Sequence, residues 1–281
     1  MKKQILAAAL LFSAAGPAAA YTAYILPNTF NPNDGEVAVT AGYANTFFNS
    51  AVGLPADMKL IYPDGFETIF SRAQAGATMT ELESDLPQWG TYRITTGELH
   101  GSIATLVAEN GAWRPLAAGE VPPEGADTST IQTVNLADAY ISRGAPSRGT
   151  VDQARGTLAI VPITHPNEVL VSRGLEVELR FNGQPLGNSA LVLYDNGDLD
   201  TDQSTYFATN AAGRATISVP QAGNYVLAAR HRANAPADAG VDVRSYVTTL
   251  TFSAINAIPR YPSPPPIEPE RQRRRGLDRG R

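Results

Sequence analysis

Between Val247 and Phe252 the chain alternates, with Val247, Thr249 and Thr251 on one side and Thr248, Leu250 and Phe252 on the other. A period of two sends successive side chains to opposite faces, so the segment reads as a strand with one buried face. Short runs of strand-forming residues recur at 22–26, 36–42, 58–62, 90–95, 104–108, 158–162, 176–181, 190–194, 215–219 and 224–230, with the last strand expected at 243–252. Gly, Pro, Asn and Asp separate them, which predicts an all-β chain. Tyr62-Pro63-Asp64-Gly65 has the chemistry of a hairpin turn. Helical periodicity is weak throughout. In residues 127–142, Ile131, Val134, Leu136 and Tyr140 fit no clean period, and a short helix or an irregular crossing is expected there.

One pattern occurs twice. Pro87-Gln88-Trp89-Gly90-Thr91-Tyr92-Arg93-Ile94 returns as Pro220-Gln221-Ala222-Gly223-Asn224-Tyr225-Val226-Leu227. Pro and Gly make a turn, and then Tyr and an aliphatic residue two positions on share one strand face. An aromatic entering the core just after a tight turn suits the late strands of β-sandwiches. Two sandwich modules in tandem are therefore expected, at 21–150 and 151–257, with the boundary in the polar, Gly- and Arg-rich stretch 142–155.

The ends differ from the middle. Lys2 and Lys3 precede an apolar run from Ile5 to Phe12, and Ala18-Ala19-Ala20 then supplies small residues. This order is that of a cleaved export leader over residues 1–20, which predicts a mature, periplasmic chain starting at Tyr21. No cysteine is present, so thiolate metal ligands and disulfides are both excluded. Residues 259–281 hold seven arginines against Glu268, Glu270 and Asp278, a net of +4 within a whole-chain charge of −5. With Lys2 and Lys3 also set aside, the body carries −11. An acidic body argues against a nucleic-acid partner. The Pro- and Arg-rich segment 258–281 is expected to be disordered, with its arginines offered to anionic surfaces.

The catalytic inventory is thin. The nearest approach to a nucleophile elbow, Gly187-Asn188-Ser189-Ala190-Leu191, lacks the second Gly and reads as a turn entering a strand. Of the three histidines, His100 falls in a turn and His231 lies between Arg230 and Arg232, where two cations disfavour a third. His165 follows a strand and precedes Pro166-Asn167, where it could cap a turn or bind a metal. Asp195, Asp198, Asp200 and Asp202 form the densest carboxylate cluster. Carboxylate oxygens suit Ca²⁺, but the spacing is not that of an EF-hand, and a charged hairpin loop is the simpler account of the cluster. The candidate metal set is thus Asp195, Asp198, Asp200, Asp202 and His165. Oxygens alone would favour Ca²⁺, and an added imidazole would move the preference toward Ni²⁺ or Co²⁺.

Across nearly the whole mature chain the sequence resembles the NikM-like family, periplasmic proteins associated with cobalt and nickel transport. The resemblance rests on Thr157-Leu158-Ala159-Ile160-Val161-Pro162 with Thr164-His165-Pro166-Asn167, on Asn182-Gly183-Gln184-Pro185-Leu186, on Thr209-Asn210-Ala211-Ala212-Gly213-Arg214 and on Gly223-Asn224-Tyr225. Tyr62-Pro63-Asp64-Gly65 and Gly90-Thr91-Tyr92-Arg93-Ile94 extend it into the first half. It implies immunoglobulin- or transthyretin-like sandwiches, the second of the carboxypeptidase-regulatory type. It also implies a non-enzymatic role as a binding or accessory component of metal uptake, with an envelope transporter or receptor component as partner. Two departures stand out. The mature start, Tyr21-Thr22-Ala23-Tyr24, lacks the histidine that relatives often place there, and Asn210 stands where Asp is usual. The alternatives are an envelope interaction module without metal and, remotely, a hydrolase.

Overall fold

The computed structural model describes residues 22–202 and 205–264. The expected leader and most of the basic tail lie outside them. In chain order the strands are β1 (Thr22–Pro27), β2 (Glu36–Thr46), β3 (Asn49–Gly53), β4 (Lys59–Ile61), β5 (Glu67–Ile69), β6 (Arg72–Ala75) and β7 (Thr80–Asp85). There follow β8 (Gly90–Thr95), β9 (Leu99–Glu109), β10 (Ala112–Pro115), β11 (Thr128–Arg143), β12 (Leu158–Pro162), β13 (Val169–Leu170) and β14 (Leu175–Phe181). The last are β15 (Gln184–Pro185), β16 (Ala190–Tyr194), β17 (Tyr206–Ala208), β18 (Arg214–Ile217), β19 (Gly223–Asn234) and β20 (Val243–Ile255). The described residues contain strands and no helix, so the all-β expectation holds.

Three sheets stack in layers around a shared middle. The central sheet runs β17-β16-β19-β20-β11-β8-β4-β5 and also takes in β9, β10 and β13. Its two halves join through β11 and β20, which pair in parallel from Ile131 opposite Val243 to Ala139 opposite Thr251. A sheet of β1, β2, β3, β6 and β7 covers one face of the first half, and Ile25, Val39, Leu82, Tyr92, Ile94 and Ala139 pack between them. A sheet of β12, β14, β15 and β18 covers the opposite face of the second half, enclosing Leu175, Val177, Leu193, Tyr225, Leu250 and Phe252. The two repeat tyrosines thus enter separate cores, as the duplicated pattern implies. The modules themselves are fused through one sheet.

Fusion explains two departures from the sequence reading. Segment 127–142 is neither a helix nor an irregular crossing but the longest strand, β11. Ala137, Ala139 and Ile141 face the first core while Val134 and Tyr140 face the second, so burial on both sides blurs the period of two. β20 likewise buries Thr249 and Thr251 as well as Leu250 and Phe252. The Thr249 hydroxyl donates to the Ala23 carbonyl of β1 at 2.8 Å. β1 sits in the angle between the halves. Ala23 and Ile25 face the first core, while Tyr24 packs with Phe47, Tyr194, Val226 and Ala228.

Local turns follow simple chemistry. Asn110-Gly111 joins β9 to β10 and Asn182-Gly183 joins β14 to β15, and all four residues have positive φ. This is the Asn-Gly signature of the tight hairpin turn whose twist matches its strands. Asn210 holds its turn through Oδ1, which accepts from the amides of Ala212 and Arg214 at 2.9 and 3.0 Å.

Candidate functional site

The acidic loop after β16 is a clasp between the halves. It lies along the turn from β2 to β3: Phe47 N–H donates to the Asp198 carbonyl and Asp200 N–H to the Asn45 carbonyl, each at 2.9 Å. Thr46 and Leu199 add an isolated antiparallel bridge. The Asp200 side chain is buried, accepts from the Thr22 hydroxyl, and pairs with Arg230 Nη2 at 2.9 Å. Burial pushes the Asp200 carboxyl above the usual range, with Thr22 and Arg230 pulling it back. Its main-chain carbonyl accepts from Tyr194 OH at 3.0 Å, and the Tyr194 ring stacks on Phe47 with centroids 4.6 Å apart. The Asp195 and Asp198 carboxylates hold the loop itself, and Asp202 joins it through its main chain. Asp198 Oδ2 accepts from the Asp195 amide at 2.7 Å, Asp195 Oδ1 from the Asn196 amide at 2.6 Å, and the Asp202 amide donates to the Leu199 carbonyl at 2.9 Å.

His165 sits at a different joint. Its Nδ1 accepts from the Asn167 amide at 3.1 Å, which places the ring proton on Nε2. Nε2 lies 3.1 Å from the Ser147 carbonyl and 3.0 Å from Thr91 Oγ1. Around it, the Ser142 hydroxyl donates to Asn167 Oδ1 at 2.7 Å, and Asn167 Nδ2 donates to the carbonyls of Tyr140 and Phe30 at 2.7 and 3.2 Å. The network ties β8, β11 and the approach to β13 to the chain leaving β1. Burial lowers the imidazole pKa, so the neutral form belongs to the fold. A cleft of 460 Å³ opens beside it, lined by Thr164, Glu168, Arg173, Glu176 and Thr216.

The described residues do not bring His165 and the acidic loop together. The clasp engages Thr22 at the start of β1, whereas the His165 network engages Phe30 beyond its end. Both imidazole nitrogens are committed to protein partners, and Asp200 is committed to Arg230. Among the described residues no group of three or more His, Asp or Glu side chains is arranged to hold an ion. Ser189, the weak nucleophile candidate, directs its hydroxyl to the Gly187 carbonyl at 3.4 Å.

Two features escape the sequence reading. Arg93 is 2 % exposed and makes a two-pronged pair with Asp138, Nε to Oδ1 at 3.0 Å, while its Nη1 reaches the Gln153 carbonyl at 2.9 Å. The guanidinium also stands 5.7 Å from the centre of the Tyr140 ring. Its signal was an arginine in the first repeat where the second has Val226, and an aspartate within the run Leu136-Ala137-Asp138-Ala139-Tyr140-Ile141. The second feature is the β9–β10 hairpin. Residues 100–104 of β9 are exposed, and Ile103 and Trp113 leave 54 % and 38 % of their surface to solvent. Val121, in the loop that follows, is 81 % exposed. Asn110-Gly111 was the cue in the sequence.

The family model described as "Domain of unknown function (DUF4198)" matches residues 18–233. The chain belongs to this family. The match takes in the clasp, the His165 network and the hairpin, and stops within β19, before β20. A search of curated proteins finds no match. No helix among the described residues is long and apolar enough to cross a membrane.

Proposed function

We propose that this protein is an exported, non-enzymatic interaction module of the cell envelope, released in the periplasm after cleavage behind Ala20. The observation that carries this reading is the β9–β10 hairpin. The free edge of β9 along the exposed residues 100–104, in a hairpin that further on exposes Trp113, is suited to a protein partner. Polar groups at the joints of the body are meanwhile spent on holding its halves together.

The NikM-like resemblance would make the partner a cobalt or nickel uptake component, such as a transporter or receptor subunit. On this geometry the metal would be handled by that partner, since His165 and the clasp aspartates serve the fold. The test is envelope fractionation of the native host with Ile103→Asp/Trp113→Asp. The expected result is release of the variant from a complex that retains the parent, at an unchanged melting temperature. Equal retention of both proteins would overturn the reading.

A further inference from the structure

The sheet face formed by β2, β7 and β6 is exposed and acidic. β7 alternates strictly, burying Thr80, Leu82 and Ser84 and exposing Glu81, Glu83 and Asp85. In its register with β2, exposed Glu36 stands directly opposite Asp85, so two like charges face each other across the strands. Such a pair is unfavourable without a cation beside it. β6 supplies one cation, Arg72, and it pairs with Glu83 at 2.6 Å. Among the described residues Glu36, Glu81 and Asp85 have no ion-pair partner.

The chain beyond β20 runs to one end of this face. A Cβ on Gly144 would lie 3.0 Å from the Pro262 carbonyl oxygen and against the Trp89 ring, so Pro262 and Trp89 close on the same point. Arg143 stands 4.9 Å over that ring, donates to the carbonyls of Leu86 and Pro87 at 2.6 and 3.3 Å, and packs against Gly35. Leu86 follows Asp85 and Gly35 precedes Glu36, which puts Pro262 at the Asp85–Glu36 end of the acidic face. Pro264 is the last described residue, and Arg271, Arg273, Arg274 and Arg275 begin seven positions on. Seven residues reach at most about 25 Å. The stripe from Asp85 to Glu81 is about 14 Å long. In an extended segment residues 271, 273 and 275 share one side at intervals of about 7 Å, the same spacing as residues 85, 83 and 81 of β7.

We propose that residues 271–275 dock on this face of their own chain, with Arg271 beside Asp85 and Glu36, Arg273 beside Glu83 and Arg275 beside Glu81. One exposed ion pair contributes little. Here several form together, and the tether holds the arginines at an effective concentration on the order of millimolar. Docking relieves the Glu36–Asp85 repulsion and withholds the arginines from other anionic surfaces, and salt releases them. No residue of the β9–β10 hairpin takes part, so this contact stands or falls apart from the proposed interaction surface.

The chain has no cysteine, so Gln272→Cys gives a single attachment point for a nitroxide on ¹⁵N-labelled protein comprising residues 21–281. The backbone amides of Glu36, Glu81, Glu83 and Asp85 should broaden at about 10 mM salt and recover at about 1 M, as the screening length falls from about 30 to 3 Å. Arg271→Glu/Arg273→Glu/Arg275→Glu, which leaves the folded body untouched, should abolish the broadening. Glu36→Gln/Glu81→Gln/Asp85→Asn should abolish it too, at an unchanged melting temperature. No broadening at these amides, broadening centred on the acidic loop 195–202 instead, or broadening that survives the arginine changes overturns the proposal. In a mixture of spin-labelled ¹⁴N protein with unlabelled-spin ¹⁵N protein, the ¹⁵N amides should stay sharp. Broadening there would place the segment on a second copy and would also overturn the proposal.

Discussion

Tyr92 and Tyr225 are bonded alike, each donating its hydroxyl to a main-chain carbonyl four residues upstream: Gln88 at 2.8 Å and Gln221 at 3.0 Å. This is the tyrosine corner of β-sandwich architecture, built once in each half from the two copies of the repeat. In each the ring fills a core while the phenol closes the turn leading into the strand. Burial raises both phenol pKa values, that of Tyr92 to about 12, so both hydroxyls remain donors at neutral pH.

Removing either hydroxyl should weaken its own half and, through the shared sheet, the whole chain. Tyr92→Phe and Tyr225→Phe should each cost about 1 kcal/mol, and truncation to Ala about 3–5 kcal/mol, measured by urea unfolding. The two turns differ at their glycines. Gly90 has φ +121°, and a Cβ there would lie 2.7 Å from Ser147 Oγ and 3.1 Å from Pro63 Cβ. Gly223 is not left-handed, and a Cβ on it would meet nothing nearer than 3.8 Å. Gly90→Ala should therefore cost more than about 1 kcal/mol and Gly223→Ala far less, contrary to the equivalence that the repeat suggests.

The Arg93–Asp138 pair makes a sharper claim about charge. Arg93→Met strands a carboxylate that is 4 % exposed and should cost about 3–5 kcal/mol. Arg93→Met with Asp138→Leu removes both charges and should recover much of that loss, as a double-mutant cycle in urea would register. Equal damage in the single and double variants would mean that the pair acts by packing alone.

His165 sets an acid limit. Its pKa is lowered in the fold, chiefly by burial, from an ordinary value of about 6.5, so the unfolded chain takes up the proton first. Its contribution is complete above that ordinary value and is lost as pH falls through it toward the lowered folded value. Glu168 and Asp152 nearby partly favour the charged form and Arg148 opposes it. Between pH 7.5 and 5 the melting temperature of the parent should fall more steeply than that of His165→Gln. Parallel profiles would show that the ring titrates freely.

How much of this was legible depends on what each residue answers to. Tyr92 and Tyr225 were readable because turn chemistry and strand alternation are local. β11 was not, since Ala137 and Tyr140 answer to different cores and their pattern makes sense only once β20 lies alongside. The partners of the acidic loop were not legible for a related reason. Four aspartates in sequence look like free oxygens, yet Asp200 meets Arg230 thirty residues on and Thr22 at the other end of the chain. His165 likewise draws partners from Thr91 and Ser147, which no spacing rule connects to it.

The central claim is that the residues resembling metal ligands are joints of one fused β body, and thermal unfolding with added metal tests it most directly. Protein comprising residues 21–281 would be melted with and without about 1 mM Ca²⁺, Ni²⁺ or Co²⁺. A site filled to 100 times its Kd would add about 2.7 kcal/mol, or several degrees for a chain of this size. The account predicts an unchanged melting temperature with each ion and a lowered one for Asp200→Ala without any. A rise of several degrees in the parent that disappears in Asp198→Asn/Asp200→Asn would contradict it.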